Sequence, residues 1–213
     1  MPPFLRRSGF FTVLVLSLLV AGFAIFAYTA LPLGSTVHPD MRVNFEAHRI
    51  GIYTHIFCSA IALLLGPFQF SSRLRRSRPA IHRATGRIYL GVGVAIGGLS
   101  GLYMAAYAHG GIVSKLGFAT LAVLWLYTGA RAYAAARGGD FAAHRSWMIF
   151  NFALTFAAVT LRIHLLAFFI AGFRFESFYP FIAWLAWVPN MLVAAFIVRR
   201  SKNQTIVMEP SSS

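Results

Sequence analysis

The first long apolar run of this chain reads FFTVLVLSLLVAGFAIFAYTAL over residues 10–31 and holds no charged residue. Its length is close to the ~20 residues with which an α-helix crosses a ~30 Å hydrocarbon layer. Arg6 and Arg7 precede it, as basic residues precede a signal peptide. The apolar core of a cleaved signal is only about 7–15 residues long, however. We therefore predict that this run is a retained membrane anchor.

Five more apolar runs of similar length follow, separated by short basic loops. They cover residues 50–70, 85–108, 116–135, 146–171 and 178–198. The chain is 58% hydrophobic and only 11% charged, and a soluble domain of 213 residues could not bury that much apolar surface. Helices satisfy their own backbone hydrogen bonds in lipid. The sequence thus predicts an all-α, six-span transmembrane helical bundle over residues 10–200, between a short N-terminus (1–9) and a disordered tail (201–213).

The placement of charge predicts the orientation of this bundle. The chain has 19 lysines and arginines against 5 acidic residues. If the N-terminus is cytoplasmic, the far side holds only Arg42, Arg49, Lys115 and Arg174, while Arg162 lies inside a span. All other basic residues then face the cytoplasm, as the positive-inside rule requires. Both termini are therefore predicted to be cytoplasmic, with the basic loops contacting anionic lipid head groups rather than nucleic acid.

Small residues and a proline indicate where the helices pack or bend. Gly93, Gly97 and Gly101 recur every four residues on one face of span three. Such a face lets another helix approach closely, and we expect it to pack within the bundle rather than against a second protein. In span six, Pro189 predicts a kink, and the neighbouring Asn190 can bond the backbone groups that the kink frees.

One face of span five is polar. At 100° per residue, Asn151, Thr155 and Arg162 lie within about 20° of the direction of His144, whereas His164 is rotated about 160° from Arg162. An arginine stays protonated even inside a membrane. We therefore expect Arg162 to meet a backbone carbonyl, a neutral side chain, a bound anion or a cofactor carboxylate.

Histidines at two depths suggest a redox cofactor. His82 and His144 both lie at the predicted cytoplasmic boundary, whereas His55 lies in the other half of the bundle. Neutral imidazoles on two facing helices are axial ligands of a six-coordinate b-type haem. His82 and His144 are thus candidate ligands of an inner haem b. An outer haem would use His55 with His164, His48, His109 or Met104. Alternatively, the interfacial histidines cap helices or meet lipid phosphates.

Other chemistries are disfavoured. No acidic residue falls within the predicted spans, which argues against a Mg²⁺-dependent diphosphate enzyme and against a carboxylate proton relay. Cys58 is the only cysteine, so the chain has neither a disulfide framework nor a cysteine metal site. No acidic or thiol ligands converge on the intramembrane histidines, which disfavours zinc or copper there.

Five segments together resemble a known family. They are GPFQF (66–70), IHRATGRIY (81–89), DFAAHRSWM (140–148), TFAAVTLR (155–162) and WVPN (187–190). This combination resembles the bacterial membrane-protein family called domain of unknown function 2306, over roughly residues 48–200. The resemblance implies a polytopic fold in the bacterial inner membrane and no established reaction. The positions that match its motifs are His55, Gln69, His82, Arg83, Arg87, His144, Trp147, Arg162 and Asn190. The chain departs from the family pattern at Asn151, where a basic residue is expected, and at His164, where a tyrosine is expected.

These features favour a b-type haem or quinone-linked redox protein. Arg162 would pair with a haem propionate or a head group, and His55 would ligate a second haem or contact a quinone. Two alternatives stay open, and with them the question of whether the protein is an enzyme. One is a non-enzymatic protein that binds or transports an anion or lipid. The other is an assembly subunit of a membrane complex, in which the Gly93, Gly97 and Gly101 face docks a partner.

Overall fold

The computed structural model of the protein describes residues 3–208 and contains no β-strand among them. Six helical segments are long and apolar enough to cross a membrane, which confirms the predicted all-α, six-span fold. They cover Ser8–Ala30, Arg49–Gln69, Pro79–Ala105, Gly111–Arg137, Phe141–Ile170 and Phe175–Ser201. Spans three to six begin several residues before the predicted apolar runs, because helical first turns that carry basic and polar residues lower the local hydropathy.

Three spans are continuous and three are interrupted. The continuous spans are α1 (Pro3–Ala30), α3 (Arg49–Gln69) and α7 (Gly111–Arg137). Span three comprises α5 (Pro79–Ile88), a π-helix (Tyr89–Ile96) and α6 (Gly97–Ala105). Span five comprises α8 (Phe141–Thr155) and α9 (Ala157–Ile170), and span six comprises α10 (Phe175–Leu185) and α11 (Val188–Met208). Two short helices, α2 (Pro39–Ala47) and α4 (Ser72–Ser77), lie in the connections. We call the end of the bundle that carries α4 the arginine-rich end, and the end that carries α2 the outer end.

The C-terminal helix is longer than the sequence predicts. It continues to Met208, through the first part of the predicted tail (201–213). The rest of that tail, residues 209–213, lies outside the described residues.

The interruption of span six shows how side chains replace lost backbone bonds. Pro189 has no N–H to donate to the preceding turn, and α10 ends just before it, at Leu185. The Asn190 Nδ2 donates to the carbonyl oxygen of Ala186 in its own span and to that of Ala153 in span five, both at 3.1 Å. The helix is thus interrupted where Pro189 predicts a kink, and Asn190 bonds backbone carbonyls there.

The glycine face of span three packs against span two. A Cβ added at Gly93 would lie 2.7 Å from the Ala62 Cβ, and one added at Gly101 would lie 2.7 Å from the His55 Nδ1. A Cβ at Gly97 would lie 3.3 Å from the Ser59 Oγ. This face packs within the bundle, as expected, and is therefore not available for docking a second protein.

A folded cap covers part of the outer end. Residues 32–48, which we call the outer lid, contain α2 and lie against the end of span three. The Asn44 Nδ2 donates to the Tyr107 carbonyl oxygen at 3.0 Å. The His48 ring stacks on Tyr107 with centroids 3.5 Å apart, and its Nδ1 lies 2.7 Å from the Tyr103 hydroxyl.

The two halves of span five pack differently. In the arginine-rich half, α8 packs closely along α7 and also against α11 and α3. In the outer half, α9 packs mainly on α10 and α1. The outer half of span five therefore packs against different spans from those that its arginine-rich half contacts.

Candidate functional site

The Arg162 guanidinium lies within the membrane-spanning part of the bundle, on α9. Its Nη1 donates to the Ala158 carbonyl oxygen one turn earlier, at 2.8 Å. The helix continues to Ile170, about 12 Å further along its axis at 1.5 Å per residue. Among the described residues, no carboxylate oxygen lies within 4.0 Å of Arg162. A guanidinium has five N–H donors. The described residues supply no carboxylate to accept hydrogen bonds from them.

The His55 imidazole, on α3, is oriented by a backbone carbonyl of span three. Its Nδ1 lies 2.9 Å from the carbonyl oxygen of Gly97, the first residue after the π-helix. Because a carbonyl oxygen only accepts, Nδ1 carries the proton and Nε2 keeps its lone pair. His55 is therefore a fixed neutral imidazole whose Nε2 can accept a proton or ligate a metal.

Three polar side chains from different spans lie in the outer half of the bundle. Arg162 lies within electrostatic reach of Tyr28 on α1 and of His55 on α3. All three side chains are partly accessible rather than fully buried. Tyr28 also packs edge-to-face on Tyr53, with ring centroids 6.1 Å apart. We call Tyr28, His55 and Arg162 the Arg162 cleft.

The predicted polar stripe of span five is divided by the break at Phe156. Before the break, Asn151 and Thr155 face spans three and four. Beyond it, Arg162 faces spans one and two. One continuous helix would have aligned these groups, but the turn between α8 and α9 separates them into two different environments.

A second histidine is oriented by a carbonyl at the arginine-rich end. The His144 Nδ1 lies 2.8 Å from the Ala132 carbonyl oxygen on α7, so its Nε2 also keeps a lone pair. His82, on α5, lies within electrostatic reach of His144 and of Arg75 and Arg83. The His82 Nδ1 is buried and has no hydrogen-bond partner. A carbonyl thus orients His144, whereas the His82 Nδ1 has no acceptor or donor beside it.

Three other predicted site residues lie at the arginine-rich end, in different environments: Gln69, Arg83 and Arg87. Gln69 is buried, and its Nε2 donates to the Thr85 Oγ1 at 3.0 Å, which fastens the end of α3 to α5. Arg83 and Arg87 are exposed on α5. Neither arginine belongs to the interior of the bundle.

Trp147 joins spans four and five from the outside. The Arg131 guanidinium carbon lies 5.0 Å from the centroid of the Trp147 ring. The Arg131 Nη1 donates to the Tyr127 hydroxyl at 3.3 Å. Tyr127 and Trp147 pack edge-to-face at 5.7 Å. This cation–π arrangement is a structural contact between α7 and α8.

A buried hydrogen-bond network joins spans three, four and five between the two histidine levels. The Tyr89 hydroxyl donates to the Asn151 Oδ1 at 2.7 Å and lies 2.8 Å from the Thr155 Oγ1. The Asn151 Nδ2 donates to the Trp125 carbonyl oxygen at 2.8 Å and to the Thr128 Oγ1 at 2.9 Å. The Trp125 Nε1 donates to the Thr155 Oγ1 at 2.9 Å. Every one of these five side chains is buried, so the network fixes how the three spans pack.

Three residues of the Arg162 cleft and the buried network were not predicted from the sequence: Tyr28, Trp125 and Thr128. Trp125 and Thr128 lie three residues apart and so share a helix face, which is the signal that could have paired them. Tyr28 has no such signal, because an aromatic residue near the end of a span usually marks the membrane interface.

Six spans, a buried polar network and an intramembrane arginine define a polytopic α-helical membrane protein. The chain belongs to the family described as predicted membrane protein (DUF2306), which it matches over residues 52–198. This confirms the resemblance found in the sequence. The matched region includes His55, His144 and Arg162, whereas Tyr28 and the outer lid precede it. No curated protein and no solved structure matches the chain.

Proposed function

We propose that the protein binds a lipid-soluble molecule with an oxygen-rich head group in the Arg162 cleft, and that this molecule is a quinone. The observation that carries the proposal is an intramembrane guanidinium without a carboxylate partner among the described residues. A charge at this depth is expensive in lipid and is kept where it has a functional partner. Oxygen acceptors of a bound head group would supply that partner.

His55 favours a quinone over an anionic lipid. A quinone carbonyl accepts a hydrogen bond from Arg162, and the hydroxyl formed on reduction donates one to the His55 Nε2. The imidazole is already fixed in the tautomer that accepts this proton, through its bond to Gly97. The phosphodiester of an anionic lipid would use the guanidinium but carries no proton to donate to the His55 Nε2. Such a lipid is the alternative ligand, in keeping with a non-enzymatic binding or transport protein.

The binding test uses decylubiquinone, phosphatidylglycerol and the detergent-purified protein in equilibrium dialysis. Arg162→Gln is expected to weaken quinone binding at least about tenfold, because a hydrogen bond to a charged group contributes ~1.5–3 kcal/mol. Arg131→Gln is the matched control, since that arginine lies over Trp147, away from the cleft. His55→Leu should weaken the binding of the reduced form, decylubiquinol, measured in the same way, but not that of decylubiquinone, because only the quinol hydroxyl can donate to the His55 Nε2. Equal affinities for Arg162→Gln and Arg131→Gln would contradict the proposal, and an effect of Arg162→Gln on phosphatidylglycerol alone would favour the lipid.

A b-type haem at His82 and His144 is the second candidate. The specific observation is the bond from the His144 Nδ1 to the Ala132 carbonyl, since ligating histidines usually donate their other ring nitrogen to such an acceptor. Arg75 and Arg83, within electrostatic reach of His82, would pair with the propionates. The haem would supply one-electron chemistry to a quinone-linked redox protein.

Reduced-minus-oxidised spectra of protein made in a haem-replete host test this candidate. A Soret and an α band are expected, and both should be lost in His82→Ala and in His144→Ala. His38→Ala, in the outer lid, is the control and should keep them. Absence of a Soret band would contradict haem binding. It would not bear on the quinone site, which is tested separately.

The orientation in the bacterial inner membrane is also part of the proposal. The arginine-rich end would face the cytoplasm, with the exposed Arg83 and Arg87 against anionic head groups. Reporter fusions at the C-terminus test it, because alkaline phosphatase is active only outside the cytoplasm and green fluorescent protein is fluorescent inside it. An active phosphatase fusion would reverse the orientation.

A further inference from the structure

A second group of polar side chains meets at the outer end, outside the Arg162 cleft. His38 and Asp40 belong to the outer lid, and Glu176 belongs to the first turn of α10. The His38 Nδ1 lies 3.5 Å from the Asp40 Oδ2, and the His38 Nε2 lies 4.0 Å from the Glu176 Oε1. One ligand atom from each residue can be chosen so that all three lie within 4.8 Å of one another. We call these three residues the lid cluster.

The lid cluster places two carboxylates beside one neutral or protonated imidazole and one exposed arginine. The chain has only five acidic residues, and two of them come together here. Glu46, by contrast, has its own partner in Arg42 at 2.9 Å. Glu176 has Arg174 at 3.8 Å, but that guanidinium is 89% exposed. Among the described residues, the only basic nitrogen within 4.0 Å of the Asp40 carboxylate belongs to His38. Two carboxylates this close repel each other unless a cation lies between them.

His38 is held in place and carries an unused ligand atom. Its ring stacks on Phe175 with centroids 4.1 Å apart and planes 5° from parallel. Its Nδ1 is buried and makes no hydrogen bond, since the contact to Asp40 is too long for one. His109 lies beside it, with ring centroids 6.3 Å apart, and also packs on Phe175. A second imidazole thus packs on the same aromatic ring as His38, beside the cluster.

We propose that the lid cluster binds one divalent transition-metal ion of the zinc class, with His38, Asp40 and Glu176 as ligands and His109 as the fourth. Zinc accepts mixed imidazole and carboxylate ligands at ~2.0–2.2 Å in a tetrahedron, whose ligand atoms lie about 3.5 Å apart. The His38–Asp40 pair already has this spacing. The Glu176 carboxylate, half exposed at the start of α10, approaches by a side-chain rotation.

The metal ion would fasten the outer lid to span six. Tyr179, one turn after Glu176, lies beside His109 with ring centroids 6.0 Å apart. Tyr179 is also within electrostatic reach of Tyr28 in the Arg162 cleft. The lid cluster thus joins residues 32–48 to the first turn of α10 at the outer end of the bundle.

Zinc binding to the detergent-purified protein, without a polyhistidine tag, tests the proposal. After chelator treatment, competition with a chromophoric zinc indicator should show one bound zinc per chain. His38→Gln and Glu176→Gln should each weaken that binding at least tenfold. Glu46→Gln is the matched control, because Glu46 is an equally exposed carboxylate of the lid that pairs with Arg42, and it should bind zinc as the unaltered protein does.

Protection of the lid from proteolysis gives a second readout in the unaltered chain, which does not depend on the folding of any variant. Zinc should slow cleavage within residues 32–48, and magnesium at the same concentration should not. Absence of a stoichiometric zinc, equal affinity in Glu176→Gln and Glu46→Gln, or protection by magnesium alone would each overturn the proposal. Arg162→Gln should leave zinc affinity unchanged, so failure of this site and failure of the quinone site are distinguishable.

Discussion

Replacing Asn151 by alanine should destabilise the bundle by about 2.5 kcal/mol. The fully buried amide makes three side-chain hydrogen bonds, to the Tyr89 hydroxyl, the Trp125 carbonyl oxygen and the Thr128 hydroxyl. Hydrogen bonds between membrane helices contribute ~0.6 kcal/mol each on average, so their loss costs about 2 kcal/mol. The space left by the amide adds roughly 0.5–1 kcal/mol through lost packing.

Tyr89→Phe isolates one part of this network. The ring stays in place, and only the hydroxyl contacts with Asn151 and Thr155 are lost, at a cost of about 1.2 kcal/mol. Because both single variants remove the Tyr89–Asn151 bond, the double variant should be less destabilised than their sum by about 0.6 kcal/mol or more. Additivity of the two changes would mean that the two side chains do not interact as the structure shows.

The free energy of unfolding can be measured by titrating sodium dodecyl sulfate into mixed micelles and following tryptophan fluorescence. Ser100→Ala is the matched control, because the Ser100 hydroxyl bonds only carbonyls of its own helix, at 2.7 and 3.2 Å. It should change stability by less than about 0.5 kcal/mol. If Asn151→Ala stayed within 0.5 kcal/mol of that control, on the order of measurement error, the network would not stabilise the bundle.

Three further predictions concern packing and capping, and the same unfolding titration checks each of them. Gly93→Ala should cost about 1–3 kcal/mol, because the new Cβ would lie 2.7 Å from the Ala62 Cβ, whereas Gly91→Ala meets nothing within 4 Å and should not destabilise. Asn190→Leu should lower the free energy of unfolding by about 1–2 kcal/mol, because the hydrogen bonds to Ala153 and Ala186 are lost. Thr29→Val is the control, because the Thr29 hydroxyl bonds only its own helix. An effect of Asn190→Leu no larger than that of the control would contradict the prediction. Asp140→Ala should cost about 1 kcal/mol, because the Asp140 carboxylate accepts from the Ala143 N–H at 2.9 Å; Asp140→Asn should retain most of this stability.

Hydropathy was sufficient to predict the six spans, but not the places where they are interrupted. Pro189 gives the break in span six a local signal, because it cannot donate a backbone hydrogen bond. The π-helix that begins at Tyr89 and the turn at Phe156 have no proline. They adjoin side chains that bond other spans, such as Tyr89 and Thr155. Such tertiary bonds are invisible in a pattern of apolar residues.

The candidate sites were predictable only in part for the same reason. Helical angles place Asn151 and Thr155 on one face, as the structure does, but they assume a straight helix and so align Arg162 with them. The orientation of His55 and His144 depends on the carbonyl groups of Gly97 and Ala132. Every residue has a carbonyl, so the sequence gives no indication of which one a histidine will bond.

Within the Arg162 cleft, the His55 side chain is held more firmly than the Arg162 side chain. We expect this difference to give the two residues different roles in recognition. His55 is fixed by Gly97 and lies against Gly101, so its Nε2 has a defined position. Arg162 bonds its own helix through a long side chain, on a half-span that packs mainly on α1 and α10. A guanidinium so placed can follow head groups of different size, which gives affinity but little selection. If the proposed function holds, selection of a ligand would depend on His55, whose lone pair accepts a hydrogen bond only from a donor at one place.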